Sequence, residues 1–249
     1  MEPTVELTFP NVLSTYNALW DIGGSIAMTP SVGDHDNWLL TYRDGLRGML
    51  ARVLVVDRHY VMLQDYQSKE DARTSNVNPN EWILECEYHA GVILFGMDSS
   101  LECFVFALNA IGFAKDALAF CNISDPKTLR QIGPKNILGG GSADKLNPRI
   151  GYARHFPNVT ALWTQNKRLL SRLFEYHDVS KHRSAVAQGG NVGELRIRES
   201  PKDPNNHMSS VVHTMQTLSV EYQAFMANTL VAALEDIAAA FGFTVTRRS

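Results

Sequence analysis

The sequence lacks most of what would mark an exported, metal-clustered or strongly charged protein. Only three cysteines occur in 249 residues, Cys86, Cys103 and Cys121. An odd number cannot all pair within the chain, and no CxxC or Cys/His zinc spacing appears. All three lie in or beside apolar segments, so they read as small buried hydrophobes in a reduced, cytoplasmic setting. Charge of one sign is also missing: 23 Lys+Arg against 26 Asp+Glu give a net charge of −3. That balance excludes binding of nucleic acid by bulk positive charge, though not by a local patch. Met1 to Glu6 is acidic and has neither the basic start nor the apolar run of a signal peptide, so export is not expected. Long uninterrupted hydrophobic runs are absent too. The most apolar stretch, Ala90 to Ala114, is broken by Asp98, Ser99, Ser100, Glu102 and Asn109. An Asp near the centre of a lone span costs roughly 2.5–3.5 kcal/mol. The stretch is therefore expected to be the central helix of a soluble bundle, with no membrane partner.

What is present is a chain that can build a core. Hydrophobic residues make up 45% and charged residues 20%, a balance that excludes wholesale disorder. Apolar residues recur at helical spacing from Asn11 to Asp21, from Trp38 to Leu63, from Glu81 to about Phe120, from Pro157 to Tyr176 and from Met208 to Phe241. Polar or Gly/Pro-rich connections separate them, at Ser68 to Asn80 and at Asp125 to Gly151. Gly139-Gly140-Gly141 lacks a following GK[ST] and reads as a loop. Leu195-Arg196-Ile197-Arg198 alternates like a strand. These patterns predict a mainly α fold: one helical domain over residues 1–249, about six helices, a short arm at 1–9 and a small β-hairpin excursion near residues 192–200. Trp38, Trp82 and Trp163 each open an apolar stripe and are expected to anchor the core.

Potential site chemistry concentrates between Ser171 and Arg183. Two of the eight histidines, His177 and His182, lie there with Asp178, Arg172, Lys181 and Arg183. Histidine as a residue type ordinarily changes charge near neutrality, and the cations would hold an anion beside the two imidazoles. On a continuing helix His177 and Lys181 share one face, and Asp178 and His182 the next, so the carboxylate could orient the second imidazole. The alternative reading is a polar last helical turn, with cations at the negative end of the helix dipole.

This segment resembles that of the HEPN superfamily, helical bundles of nucleotide-binding and RNA-cleaving proteins whose signature is an Arg, a polar residue, and a His four to six positions after the Arg. Arg172 with His177 fits that spacing, although Leu173 stands at the polar position. In His177-Asp178 followed by His182, a His replaces the Arg. The resemblance implies a homodimer with two copies of the segment across a cleft, and RNA or nucleotide phosphate as partner. It also implies metal-independent cleavage: His177 or His182 would be acid or base in attack of a ribose 2′-hydroxyl on phosphate, while Arg172 or Arg183 stabilises the charge that develops.

A second resemblance is to HD-domain phosphohydrolases, through Tyr176-His177-Asp178-Val179-Ser180-Lys181. It implies a divalent metal held by His177 and Asp178, completed by a further His and Asp, for which His155 and Asp236 stand at tolerable positions. A third reading, of another class, is a non-catalytic interaction protein that docks or dimerises through its helical surface. Elsewhere, Asp98 and Glu102 share a helix face and are expected to meet a polar seam or a cation, such as one from the His177 segment. Glu85 and His89 lack the Exx-His spacing of a di-iron bundle, and His89 reads as a satisfied core histidine. Arg43, Arg47, Arg52 and Arg58 cluster on one expected helix and could meet phosphate, with a solvated face as the heavier reading.

Overall fold

The computed structural model describes residues 4–7, 12–29, 37–71, 79–138, 148–182, 188–189, 195–198 and 208–247. Among these the chain is mainly helical. The long elements are α1 (Val12–Ala27), α2 (Trp38–Asp71), α3 (Pro79–Lys115), α8 (Lys167–His182) and α9 (Val211–Phe241). Shorter helices α4 (Pro126–Leu129), α5 (Lys135–Leu138), α6 (Pro148–His155) and α7 (Pro157–Gln165) occupy what the sequence presents as a connection and the start of one helix. The expected helix beginning at Pro157 is in fact two. The Asn166 backbone N–H and its side-chain amide both donate to the Leu162 carbonyl, which closes α7 before α8 begins.

The expected β excursion is present and larger than a hairpin. Strand β3 (Leu195–Arg198) lies between β2 (Gln188–Gly189) and β4 (Met208–Ser210), antiparallel to both. Unforeseen is the use of the N-terminal arm: β1 (Thr4–Leu7) pairs in parallel with β5 (Thr244–Arg247), Val5 opposite Val245. The expected loop glycine Gly151 lies instead within α6. The expected helix to Phe120 stops at Lys115. Beyond it the buried Asn109 side chain bonds the backbone of Cys121 twice, at 2.8 and 3.1 Å. Those bonds satisfy a buried segment that has left the helical ladder.

Residues group into two compact units, each assembled from separated stretches: 1–50, 100–167 and 223–249 in the first, 51–99 and 168–222 in the second. In the first, Leu19, Ile22, Tyr42, Leu46, Phe104, Trp163 and Phe225 are buried. Tyr42 donates its hydroxyl to the Leu19 carbonyl at 2.8 Å, which pins α1 to α2. Gly23 makes room for that ring, because a Cβ there would stand 2.5 Å from it. In the second unit, Val56 and Leu63 of α2, Ile93 and Met97 of α3, Leu173 and Tyr176 of α8, Ile197 of β3 and Leu218 of α9 are buried.

Helices α3 and α9 are long and apolar enough, by length and composition, to cross a membrane. However, 67% and 56% of their apolar windows are buried inside the protein.

One carboxylate organises the first unit. No side chain of α7's own N-terminus caps it. Asp236 of α9 does so instead, accepting from the Asn158 and Val159 N–H groups at 3.2 and 3.0 Å. This satisfies donors that a helix start leaves unpaired. Burial pushes the Asp236 carboxyl up to about 6, with the backbone bonds opposing the rise. Because the folded value exceeds the ordinary 3.8, the group favours folding most below that value, and the benefit declines as pH rises towards about 6. Urea unfolding of wild type and Asp236→Asn at pH 4, 5, 6 and 7 is expected to show this. The stability difference between them should change across that window, and a flat difference would refute the linkage.

Candidate functional site

The segment singled out by its chemistry forms the C-terminal half of α8. Its apolar stripe buries Leu170, Leu173 and Tyr176, and that burial fixes which way His177 turns. His177 Nδ1 meets Asp98 Oδ2 of α3. The expected contact between Asp98 and the His177 segment therefore exists, and it joins residues 79 positions apart. Asp98 is buried, while Glu102, on the same helix, is exposed. An ionised carboxylate only accepts hydrogen bonds, so opposite it Nδ1 carries the proton, and a neutral ring then keeps its lone pair on Nε2. Nε2 is covered and has no hydrogen-bond partner among the described residues, although the side chain as a whole is 14% exposed. Buried polar atoms of this kind are few in proteins, and catalytic groups are among the recognised exceptions.

Around this dyad, Phe95 of α3 stands edge-on to the imidazole, with ring centroids 5.8 Å apart, and is about half exposed. Ser99 accepts from Arg52 Nε of α2. Such close approach of α2 to α3 needs Gly96, since a Cβ there would stand 2.8 Å from Val56 Cγ2. Arg172 is drawn to Glu221 of α9 at 3.7 Å, so its charge is partly committed within the protein. Asp178 is half-buried on α8. Lys181 and His182 belong to the last turn of α8, but their side chains, like all of Arg183, lie outside the described residues.

Of the four residues expected of an HD-type metal site, His155 and Asp236 have partners of their own. His155 Nε2 bonds Asp116 at 3.1 Å. Burial would raise the Asp116 carboxyl, but His155, the Leu118 N–H and the Arg154 charge together hold it below its usual value. Asp236 caps α7, as above. Among the described residues no group of three or more His, Cys, Asp or Glu side chains could hold a metal ion. The arginines of α2 also part company. Arg43 and Arg47 lie over the Trp20 ring at 4.6 and 4.9 Å, and Arg52 is bonded to Ser99. All three cysteines are free thiols.

Three contributors were not legible beforehand. Phe95 and Arg52 carry no motif, and neither does the partner of His89. That residue is buried as expected, and its Nδ1 meets His59 Nδ1 at 2.8 Å. The one usable signal was Asp98, a carboxylate in an apolar helix that needs a partner.

No protein-family model, curated protein or solved structure matches the chain.

Proposed function

We propose that the protein binds RNA or nucleotide phosphate and cleaves RNA without a metal, with His177 as the residue that moves the proton. The observation that carries this reading is the Asp98–His177 dyad, which orients the ring through Nδ1 and leaves Nε2 without a hydrogen-bond partner among the described residues. In the reaction the ribose 2′-oxygen bonds to the adjacent phosphorus and the P–O5′ bond breaks. The products are a 2′,3′-cyclic phosphate and a 5′-hydroxyl. Nε2 takes the 2′-hydroxyl proton, and a second acid returns one to the 5′-oxygen. His182 fills that second role on the HEPN resemblance, with Lys181 and Arg183 close by in sequence to meet the phosphate. Half-exposed Phe95 offers a face on which an unpaired base can stack. Because Nε2 is covered, substrate entry has to displace what covers it. A second copy of the chain is part of the proposal through the same resemblance.

The test is incubation of the full chain with end-labelled single-stranded RNA in EDTA, with product ends identified. Cyclic phosphate termini are the expected result. Binding without cleavage would leave a phosphate-binding protein, and neither would remove the reading.

A second reading, an interaction protein, is favoured by exposed apolar side chains in the second unit. Leu54 and Val61 of α2 are 56% and 61% exposed, and Leu84 and Tyr88 of α3 are 68% and 58% exposed. Their positions are spaced seven and four apart, which places each pair on one face of its helix. Patches of this kind mark contact surfaces. Leu84→Glu is expected to turn any solution dimer into a monomer in light scattering.

A further inference from the structure

We propose that His59 and His89 form an acid-sensitive clasp between α2 and α3, closed while the pair holds at most one extra proton and opened by a second. The inference stands apart from the role given to His177. The two Nδ1 atoms face each other at 2.8 Å, with the rings tilted by 55°. A hydrogen bond between two imidazole nitrogens needs one N–H and one lone pair. The neutral pair supplies both when one ring carries its proton on Nδ1 and the other on Nε2. One added proton preserves the bond, because a cationic N–H can still donate to the remaining lone pair. A second proton leaves two N–H groups and two positive charges face to face, and the bond is lost.

The surroundings allow the first charge and oppose the second. His89 is buried, and its Nε2 lies 3.7 Å from Glu85 Oε2, so a cation on His89 has a counter-charge. His59 has Arg58 beside it, a second positive charge. The Tyr66 and Tyr88 rings pack on His89 at 5.4 and 5.3 Å, and Tyr88 also meets His59 at 5.8 Å. Among the described residues the groups facing the pair include Arg58 and Tyr66 from α2, and Glu85 and Tyr88 from α3. Burial first, then Arg58, lower the His59 pKa; burial first, then His59, lower that of His89, against Glu85.

The sign follows from linkage. Both histidines lie below the ordinary 6.5 when folded, so the unfolded chain takes up protons first as pH falls. The pair's contribution is whole above that value and is lost as pH falls through it to the depressed folded values. Two groups coupled this closely titrate as a pair, in two steps. The device would loosen α2 from α3 in mild acid while leaving the buried Val56, Leu63 and Ile93 in place.

The test is an NMR titration of the full chain from pH 8 to 4.5, following the ring protons of both histidines. Amide exchange of residues 55–66 and 84–92, corrected for intrinsic rate, is read in parallel. Two coupled steps below 6.5 are expected, with local protection falling about ten-fold or more across the lower one. In His59→Gln, whose amide can bond His89 without gaining charge, protection should persist over the same range. Independent titration of both rings with unchanged protection would overturn the proposal, as would an identical loss in His59→Gln. Tight stoichiometric zinc binding that removes both titrations would overturn it as well, by making the pair a metal site. If His59→Gln fails to fold, the wild-type titration decides alone.

Discussion

Replacing His177 by Gln is expected to slow cleavage of single-stranded RNA by about 10²- to 10⁴-fold, the range a positioned acid or base contributes. Gln can keep a hydrogen bond to Asp98, but it offers no lone pair of useful basicity at the place of Nε2. Asp98→Asn tests the other half of the dyad. An amide in place of the carboxylate can donate towards Nδ1, which favours the tautomer with its proton on Nε2 and so removes the base. Its rate should therefore fall along with that of His177→Gln, while affinity for RNA, read by fluorescence anisotropy, changes little. Removing two residues that act as one unit costs about as much as removing either, so the double variant should be no slower than the worse single one. His182→Ala belongs in the same series. A loss of rate there with His177→Gln unaffected would move the chemistry to the last turn of α8 and discard the dyad. Full activity in both dyad variants, each folded by circular dichroism, would refute the assignment.

The largest effect on stability is expected at Trp163. Its side chain is fully buried in the first unit, stacked on Phe104 at 5.9 Å and against Phe225 at 5.7 Å. Trp163→Ala should lower the unfolding free energy by about 3–5 kcal/mol, the sum of lost transfer energy and a cavity the helices cannot fill. Trp163→Phe should cost clearly less. It keeps a ring in contact, and it removes an indole N–H that is buried without a hydrogen-bond partner among the described residues. Such a donor already carries a desolvation penalty in the native protein. Urea denaturation of the three proteins decides the matter: equal losses for Ala and Phe would mean that the N–H, not the ring, matters.

How far the sequence could be read depends on whether a feature is local. The periodicity from Trp38 marks α2 and that from Met208 marks α9 apart from its first three residues, which form β4 instead, because each helix buries one stripe along its length, as Tyr42, Leu46 and Met49 do in α2. The split at Asn166 is invisible to periodicity, since Trp163 and Leu170 fall on one stripe whether or not the helix is broken between them. Strand β1 escaped because its partner β5 lies at the other end of the chain. The candidate site was legible in the same uneven way. Asp98 announced a need for a partner through its apolar neighbours, and the density of charge pointed to His177. Nothing local in the sequence links His59 with His89, which sit on two helices 30 positions apart. Spacing alone could not show that His155 and Asp236 have partners of their own. Spacing permits many combinations of distant residues, but Asp116 and the first turn of α7 had already engaged those two side chains.

The parallel pairing of Thr4–Leu7 with Thr244–Arg247 has a consequence for synthesis on the ribosome. Thr4–Leu7 is made well before Thr244–Arg247 and must wait, unpaired, until that strand emerges. The first unit likewise draws on residues 223–249 for its closing layer. Its buried face, carrying Phe104 and Trp163, is made long before Phe225 and Leu230 arrive to cover it. A nascent chain stalled before α9 therefore exposes apolar surface that a holdase-type chaperone would recognise.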